Sequence, residues 1–345
     1  MIKLLIITVL LLLLELVYFK IADRFNIIDK PNERSSHKTL TLRGGGVIFL
    51  FGAWLFAAFY GFQYPWFLVG LTMIAAISFA DDVRSVPNRV RIVVHFAAML
   101  LMFYQWGILN LKDWWILLIA WIVCTGIINA YNFMDGINGI TGGYSLAVLV
   151  PLAVVNGGQL PSQGVVNEST LGGEVSALAT GEFIEPSFIW VAILSVLVFC
   201  FFNYRKKAKC FAGDVGSVSI AFIVLFILGG LILKTGNLWY LIFLGVYGVD
   251  AVLTICHRIL LHENIFKPHR KHVYQIMANE LKIPHTIVSS IYMALQLAIS
   301  FGAIYIPMNK WLYFVTVLMA LCLAYILFKK KYYHLHEEYL RNGNK

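Results

Sequence analysis

Apolar residues run along this chain in long, nearly unbroken stretches, and the polar residues between them fall in short clusters. Eleven apolar stretches stand out: 2–21, 47–60, 64–80, 92–109, 114–130, 140–155, 187–202, 218–233, 238–255, 286–306 and 311–328. A helix crossing a hydrocarbon core of about 30 Å needs roughly 20 apolar residues, and fewer where its end is buried in protein. The pattern therefore predicts an all-α polytopic membrane protein with about 11 transmembrane helices, forming a single integral-membrane domain over 1–345. The first stretch is longer than the apolar core of a signal peptide and is not followed by a small-x-small cleavage site, so it reads as a true span. No internal repeat, low-complexity tract or separate soluble domain is visible.

Composition agrees with lipid as the solvent. Of the 345 residues, 60% are hydrophobic and only 13% charged, with a mean hydropathy of +0.77. Soluble domains carry about 25% charged residues, so a soluble enzyme or nucleic-acid binder is excluded. The net charge of +9 would suit a nucleic-acid partner only if the positive residues were dispersed, and they are not. The connections after the first, third, fifth, seventh and ninth stretches, with the C-terminal tail, hold 22 of the 27 Lys and Arg. The positive-inside rule makes that set cytoplasmic, so the N-terminus lies outside and the C-terminus, a basic tail over 329–345, lies inside. The same charges attract anionic membrane lipid. The connection 156–186 reads as a flexible or partly helical external loop: it has no Lys or Arg, carries Glu168, Glu174, Glu182 and Glu185, and contains an Asn167-Glu168-Ser169 acceptor pattern. Cys124, Cys200, Cys210, Cys256 and Cys322 have no paired spacing and read as reduced packing residues.

Costly polar residues gather in the cytoplasmic connections. Asp81 and Asp82 sit together at the end of the third stretch, where adjacent carboxylates repel unless a cation or a solvated cleft accommodates them. The segment Asn129-Ala130-Tyr131-Asn132-Phe133-Met134-Asp135-Gly136-Ile137-Asn138-Gly139 has no Lys or Arg. Its glycines allow close backbone approach, while its amides and carboxylate offer hydrogen bonds and oxygen ligands. Phe211-Ala212-Gly213-Asp214-Val215-Gly216-Ser217 puts an aromatic face and a carboxylate beside a helix N-terminus, a place that favours anions. Asp214 there could equally be a helix cap. His269, Arg270, Lys271 and His272 form a compact basic run; zinc held by His262, His269 and His272 is disfavoured by the flanking Arg and Lys. Asp81, Asp82, Asp135 and Asp214 would repel a phosphate substrate, so a divalent cation must lie between them. Oxygen-only ligands select Mg²⁺ or Mn²⁺. Carboxylates for a hard metal, opposed by Arg and His, are equipment for phosphoryl transfer.

The motifs DDVRSVPNRVR, NAYNFMDGINGITGG, FAGDVGS and PHRKHVYQ, in this order and on one side, resemble the polyprenyl-phosphate N-acetylhexosamine-1-phosphate transferase family. The similarity extends from His37 and Arg43-Gly44-Gly45 to the tenth helix. It implies transfer of a (deoxy-)N-acetylhexosamine 1-phosphate from a UDP-N-acetylhexosamine to undecaprenyl phosphate, releasing UMP. This is the first membrane step of O-antigen, capsule, exopolysaccharide or teichoic-acid synthesis, at the bacterial inner membrane. The resemblance casts Asp214 as principal Mg²⁺ ligand, joined by Asn132 or the diphosphate, and Phe211 as the ring that stacks on uracil. It casts Asn138, where bacterial members commonly carry Asp, as the group bonding the uracil edge. Asp81 and Asp82 match the catalytic acidic pair, with Asp135 beside them. Arg270 and His272 match a loop gripping diphosphate and sugar, with His269 and Lys271 contributing. Tyr274 and Gln275 replace the histidine-rich run of the peptidoglycan enzyme, which argues against phospho-MurNAc-pentapeptide transfer. Two mechanisms remain open: direct attack of the lipid phosphate on the β-phosphorus, and a covalent aspartyl intermediate. A homodimer is compatible with the sequence. A secondary transporter is the reading from another class, since Glu15 and Asp250 lie within apolar stretches; such sites tend to lie at mid-membrane, whereas these motifs lie at one face.

The orientation is directly testable. An impermeant thiol reagent applied to intact cells, in a variant stripped of native cysteines, should label a cysteine placed at Gly164 and spare one placed at Val83. Labelling of the Val83 position from outside would put the acidic motifs on the wrong side.

Overall fold

A computed structural model describes residues 2–29, 40–109, 112, 114–157, 181–264 and 269–343. Each of the eleven apolar stretches is helical. The helices are α1 (Ile2–Arg24), α2 (Ile48–Tyr60), α3 (Pro65–Val83), α4 (Asn88–Gln105), α5 (Trp114–Met134), α6 (Ile140–Asn156), α7 (Pro186–Asn203), α8 (Gly213–Thr235), α9 (Gly245–Leu260), the short α10 (Val273–Asn279), α11 (His285–Tyr305) and α12 (Lys310–Gly343). A 3-10 segment, Leu238–Leu244, leads into α9. Among the described residues, eight helical segments are long and apolar enough to cross a membrane, while Gly45–Tyr60 and Ile140–Asn156 are apolar but shorter. α4 joins neither group, and its first two turns carry Asn88, Arg89, Arg91 and His95. The only strands among the described residues are β1 (Ile28–Asp29) and β2 (Thr41–Leu42), paired antiparallel. His37, Lys267 and most of the 156–186 loop, with its Asn167 pattern, lie outside the described residues.

α8 is the axis of the bundle. Its side chains from Val215 to Leu228 are almost all buried, against α3, α5 and α6. An apolar helix with no polar face can be enclosed by lipid or by protein; here protein encloses it, and aromatic rings contribute, with Phe67 of α3 stacking on Phe226 at 4.0 Å between centroids. Prolines at the first turns of α3 and α7 occupy positions where a missing N–H costs nothing.

Two expected boundaries shift. Asn132 stands on α5, not in the turn after it, because no glycine or proline occurs between Gly126 and Gly136 and the helix runs to Met134. The basic tail over 329–345 is not a free segment in its described part, because α12 continues as helix to Gly343. At 34 residues, α12 is about 50 Å long, well beyond a core of about 30 Å, so its last turns project past the apolar layer. The ends of α3 and α5, the start of α8 and the connection from α9 to α10 meet at one end of the bundle, and there the polar motifs gather.

Candidate active site

The site is built on a turn that grips the start of α8. Residues 42–46 run alongside 210–212: Phe211 N donates to Leu42 O, Gly45 N to Phe211 O and Gly46 N to Ala212 O, at 2.8, 2.9 and 3.1 Å. The pairing needs glycine on both sides. A Cβ on Gly46 would fall 2.2 Å from the Gly216 Cα, and one on Gly216 would fall 2.6 Å from the Gly46 Cα. Tyr18 of α1 donates to the Arg43 carbonyl, which holds the turn from below.

Asp82, in the last turn of α3, reaches across to cap α8. Its Oδ1 accepts the Asp214 N–H and its Oδ2 the Val215 N–H, each at 2.9 Å. This satisfies two N–H groups at a helix N-terminus that would otherwise lack acceptors. Gly213 has φ of 71°, and a Cβ there would sit 2.5 Å from Asp82 Oδ2, so the cap also requires glycine. The Asp82 side chain is fully buried, and Arg43 Nε pairs with its Oδ1 at 2.7 Å.

Two arginines then tie three carboxylates together. Arg43 Nη2 approaches Asp214 Oδ1 at 3.4 Å. Arg91 bonds Asp81 Oδ2 at 2.7 Å and Asp214 Oδ2 at 3.2 Å, while Asp81 Oδ1 accepts the Val86 N–H at 2.7 Å. Asp81 and Asp82 are thus committed through both oxygens by short contacts, and Asp214 is held only by longer ones. Neither arginine was given a role from sequence, although Arg43 stands in the Arg43-Gly44-Gly45 run and Arg91 ends the DDVRSVPNRVR motif. Arg91 could have been found from its place on the first turn of a helix, ten residues beyond Asp81; nothing in the sequence marks Arg43 beyond its place before Gly44-Gly45.

A polar cavity opens beside this cluster. Asn132, Asp135, Asn138, Phe211 and Asp214 line it with Asp29, Arg43, Asn203, Gln275 and His285. Asn132 Nδ2 lies 3.1 Å from both Asp214 Oδ1 and Ser217 Oγ. Asp135 Oδ1 accepts the Thr141 hydroxyl at 2.7 Å. Burial pushes this carboxyl up to about 7, the charges of Asp214 and Asp82 add to the shift, and the Thr141 bond opposes it. Asn138 is buried and donates its amide to the Arg205 and Lys206 carbonyls at 2.9 and 3.3 Å. It therefore holds the 205–211 loop and has its amide oxygen left for a ligand. Phe211 is half-buried at the cavity wall.

The basic run stands apart from that cavity, since none of His269, Arg270, Lys271 and His272 lines it. His272 is buried, with Nδ1 3.4 Å from Asp250 Oδ1. Asp250 also accepts the Val273 N–H at 3.0 Å and the Tyr292 hydroxyl at 2.7 Å, so it anchors the start of α10. Lys271 pairs with Glu263. Arg270 turns toward α12, with Nη2 3.8 Å from Glu280 and Nη1 3.3 Å from the Tyr339 hydroxyl. Burial, with His272 and the charges of Arg258, Lys271 and Lys329 nearby, holds His269 down to about 3, so its ring is neutral at physiological pH.

The donor set suits a hard divalent cation. Asp214 is 18% exposed and is the least committed of the three clustered carboxylates; Asn132 beside it can present an amide oxygen by turning its side chain. Mg²⁺ is commonly held by one or two carboxylates with substrate phosphates completing its shell, so a small protein contribution fits.

The profile of glycosyl transferase family 4 matches residues 64–231, a span that includes Asp81, Asp82, Asn132, Asp135, Asn138, Phe211 and Asp214. The chain is 26% identical to a probable undecaprenyl-phosphate N-acetylglucosaminyl 1-phosphate transferase of Bacillus subtilis, over 74% of this chain and 70% of that protein. It is 22% identical to the undecaprenyl-phosphate alpha-N-acetylglucosaminyl 1-phosphate transferase of Thermotoga maritima, over 87% of this chain and 88% of the relative. The Escherichia coli O157:H7 protein of the same name is 23% identical over 88% and 84%.

Two measurements check the geometry. Asp82→Asn keeps one acceptor but loses the second and the charge facing Arg43, so it should destabilise the purified protein by about 1–3 kcal/mol, a cap loss plus part of a buried ion pair. An unchanged melting temperature would mean that α8 does not depend on this cap. Asp135 has a folded-state pKa of about 7 against an ordinary 3.8. Between those values the folded protein holds a proton that the unfolded chain has released, so this group makes stability fall as pH rises from about 4 to about 7. Asp135→Asn removes that fall, and melting curves of the two proteins should diverge as pH rises through this window, with the variant the more stable. Parallel curves would show that Asp135 titrates normally.

Proposed function

From the premise that the chain belongs to glycosyl transferase family 4 and is a sugar-1-phosphate transferase, we propose that it transfers an N-acetylhexosamine 1-phosphate from a UDP-sugar to undecaprenyl phosphate and releases UMP. The observation that carries this reading is the single cluster in which Asp214, loosely held between Arg43 and Arg91, faces a polar cavity walled by Phe211 and Asn138. The cluster can receive a polyanion, and the wall can receive a planar base. The chain is a multi-pass membrane protein, and in this reading the cluster lies on the cytoplasmic face of the inner membrane, where nucleotide sugars are available.

Asp214 and Asn132 would hold Mg²⁺ or Mn²⁺. When bound, the metal supplies positive charge to the diphosphate and to the leaving UMP. Phe211 stacks on the uracil ring. The Asn138 amide oxygen, the one amide atom not given to the 205–211 loop, accepts from the uracil N–H. Arg43 and Arg91 present guanidinium N–H groups at the cluster and orient phosphate oxygens.

The acceptor phosphate, a monoester with a second pKa near 6, is mostly dianionic at pH 7. One of its oxygens attacks the β-phosphorus; the new P–O bond forms as the bond from the β-phosphorus to the bridging oxygen breaks, and that oxygen leaves with UMP. Asp135, tuned near 7, takes the residual proton from a monoanionic acceptor, since a base is most effective when its pKa is near the working pH. Asp81 and Asp82, with both oxygens engaged, hold the arginines and the α8 cap in place. That commitment favours direct attack over a covalent aspartyl intermediate.

Release of UMP from UDP-N-acetylglucosamine, dependent on added undecaprenyl phosphate and on Mg²⁺, tests the reading. Asp214→Ala should abolish it, and Asp214→Asn should lower it by about a hundredfold or more, because the amide lacks the charge that holds a hard cation. Full EDTA-sensitive activity in Asp214→Ala would move the metal elsewhere. UMP release without the lipid acceptor, about one per site, would favour the covalent route.

A further inference from the structure

The last turns of α12, which project beyond the apolar layer, lie against the loop that carries the basic run. Lys329 Nζ donates to the Lys271 carbonyl and sits 5.0 Å above the Tyr333 ring. The Lys271 ammonium, paired with Glu263, also lies over Tyr333 at 5.7 Å. The Arg270 guanidinium stacks 4.8 Å above the Tyr339 ring and faces Glu280. Glu280 is nearly buried and accepts from His336 Nδ1 at 2.9 Å, and His336 is only 2% exposed. Lys329, Tyr333, His336 and Tyr339 recur at helical spacings of three and four, so one face of α12 makes every one of these contacts.

A solvated tail has no reason to bury a histidine and a carboxylate together. Cation–π contacts at partly desolvated positions are attractive, and a row of them orders the described part of the loop, residues 269–272. The same loop is fixed from within by Asp250, which binds the Val273 N–H and faces His272. Its position is therefore set from two sides, Asp250 inside and α12 outside.

We infer that the projecting end of α12 is a clamp that positions the basic loop for the transfer reaction, and that Arg270 is a positioning residue whose guanidinium joins the loop to Tyr339 and Glu280. The inference rests on the reaction proposed above. The clamp acts by placing His269, whose ring lies 6.4 Å from that of Phe133 on α5, and His272, whose ring lies 5.0 Å from that of His269. Arg270 does its work through Tyr339.

A double-mutant cycle tests this in the full-length protein, with UMP release from UDP-N-acetylglucosamine and undecaprenyl phosphate as readout. Tyr339→Ala should lower kcat/KM by about fivefold or more, mainly through KM for the UDP-sugar. Tyr339→Phe keeps the ring and should stay within about twofold. The double variant with Arg270→Ala should be no worse than Arg270→Ala alone, the signature of two residues acting as one unit. A second readout is independent of activity: trypsin should cleave after Arg270 or Lys271 faster in Tyr339→Ala than in wild type. Losses that multiply in the double variant would make Arg270 a direct ligand and overturn the clamp, as would unchanged proteolysis with wild-type kinetics in Tyr339→Ala. If the wild-type protein released no UMP, the reaction assignment would fail, and the proteolysis comparison would still decide the clamp.

Discussion

The polar end of this molecule depends on one carboxylate that is engaged through both of its oxygens. Asp82 leaves α3 and accepts the first free N–H groups of α8. N–H groups of a helix N-terminus that are shielded from water must find acceptors within the protein. Taking them from a different helix converts a local requirement into a tertiary joint. Arg43 is drawn to the same carboxylate, and its turn is strapped to residues 210–212. α1, α3, α8 and the 42–47 turn are therefore registered against one another around a single side chain.

That joint decides which acids are available. Asp81, Asp82 and Asp214 carry three negative charges against two from Arg43 and Arg91, and the shorter contacts go to the first two. The surplus charge and the looser contacts coincide at Asp214, the group that opens on the cavity. Asp135 stands close enough to feel the surplus: burial is the main cause of its raised pKa, and the charges of Asp214 and Asp82 add to it. A cation entering here would relieve both.

The helical stretches and the clustering of motifs were legible in the sequence because each depends on local composition: apolar runs long enough for a bilayer, and polar residues too costly to leave in lipid. The division of labour among the acids was not legible. Asp81 and Asp82 are adjacent and chemically identical, and only the placement of α8 makes one a helix cap and the other a partner of Arg91. Asn138 looked like a group wholly free for a ligand, because the Arg205 and Lys206 carbonyls that take its amide hydrogens are distant in the chain. Arg270 looked like a phosphate ligand because its neighbours are basic; the ring it stacks on lies 69 residues away. Sequence showed which groups were present, and tertiary packing decided which were already engaged.

The contact between Gly46 and Gly216 bears on how the protein can vary. Most collisions in a core can be repaired by trimming the neighbour, since a side chain that grows on one surface finds room when the opposite one shrinks. Here each glycine presents only backbone to the other, so nothing remains to be trimmed. A genetic screen for second-site suppressors of a bulky residue at position 46 would find none at 216, and a library randomised at both positions together should return the same pair of glycines with which it began.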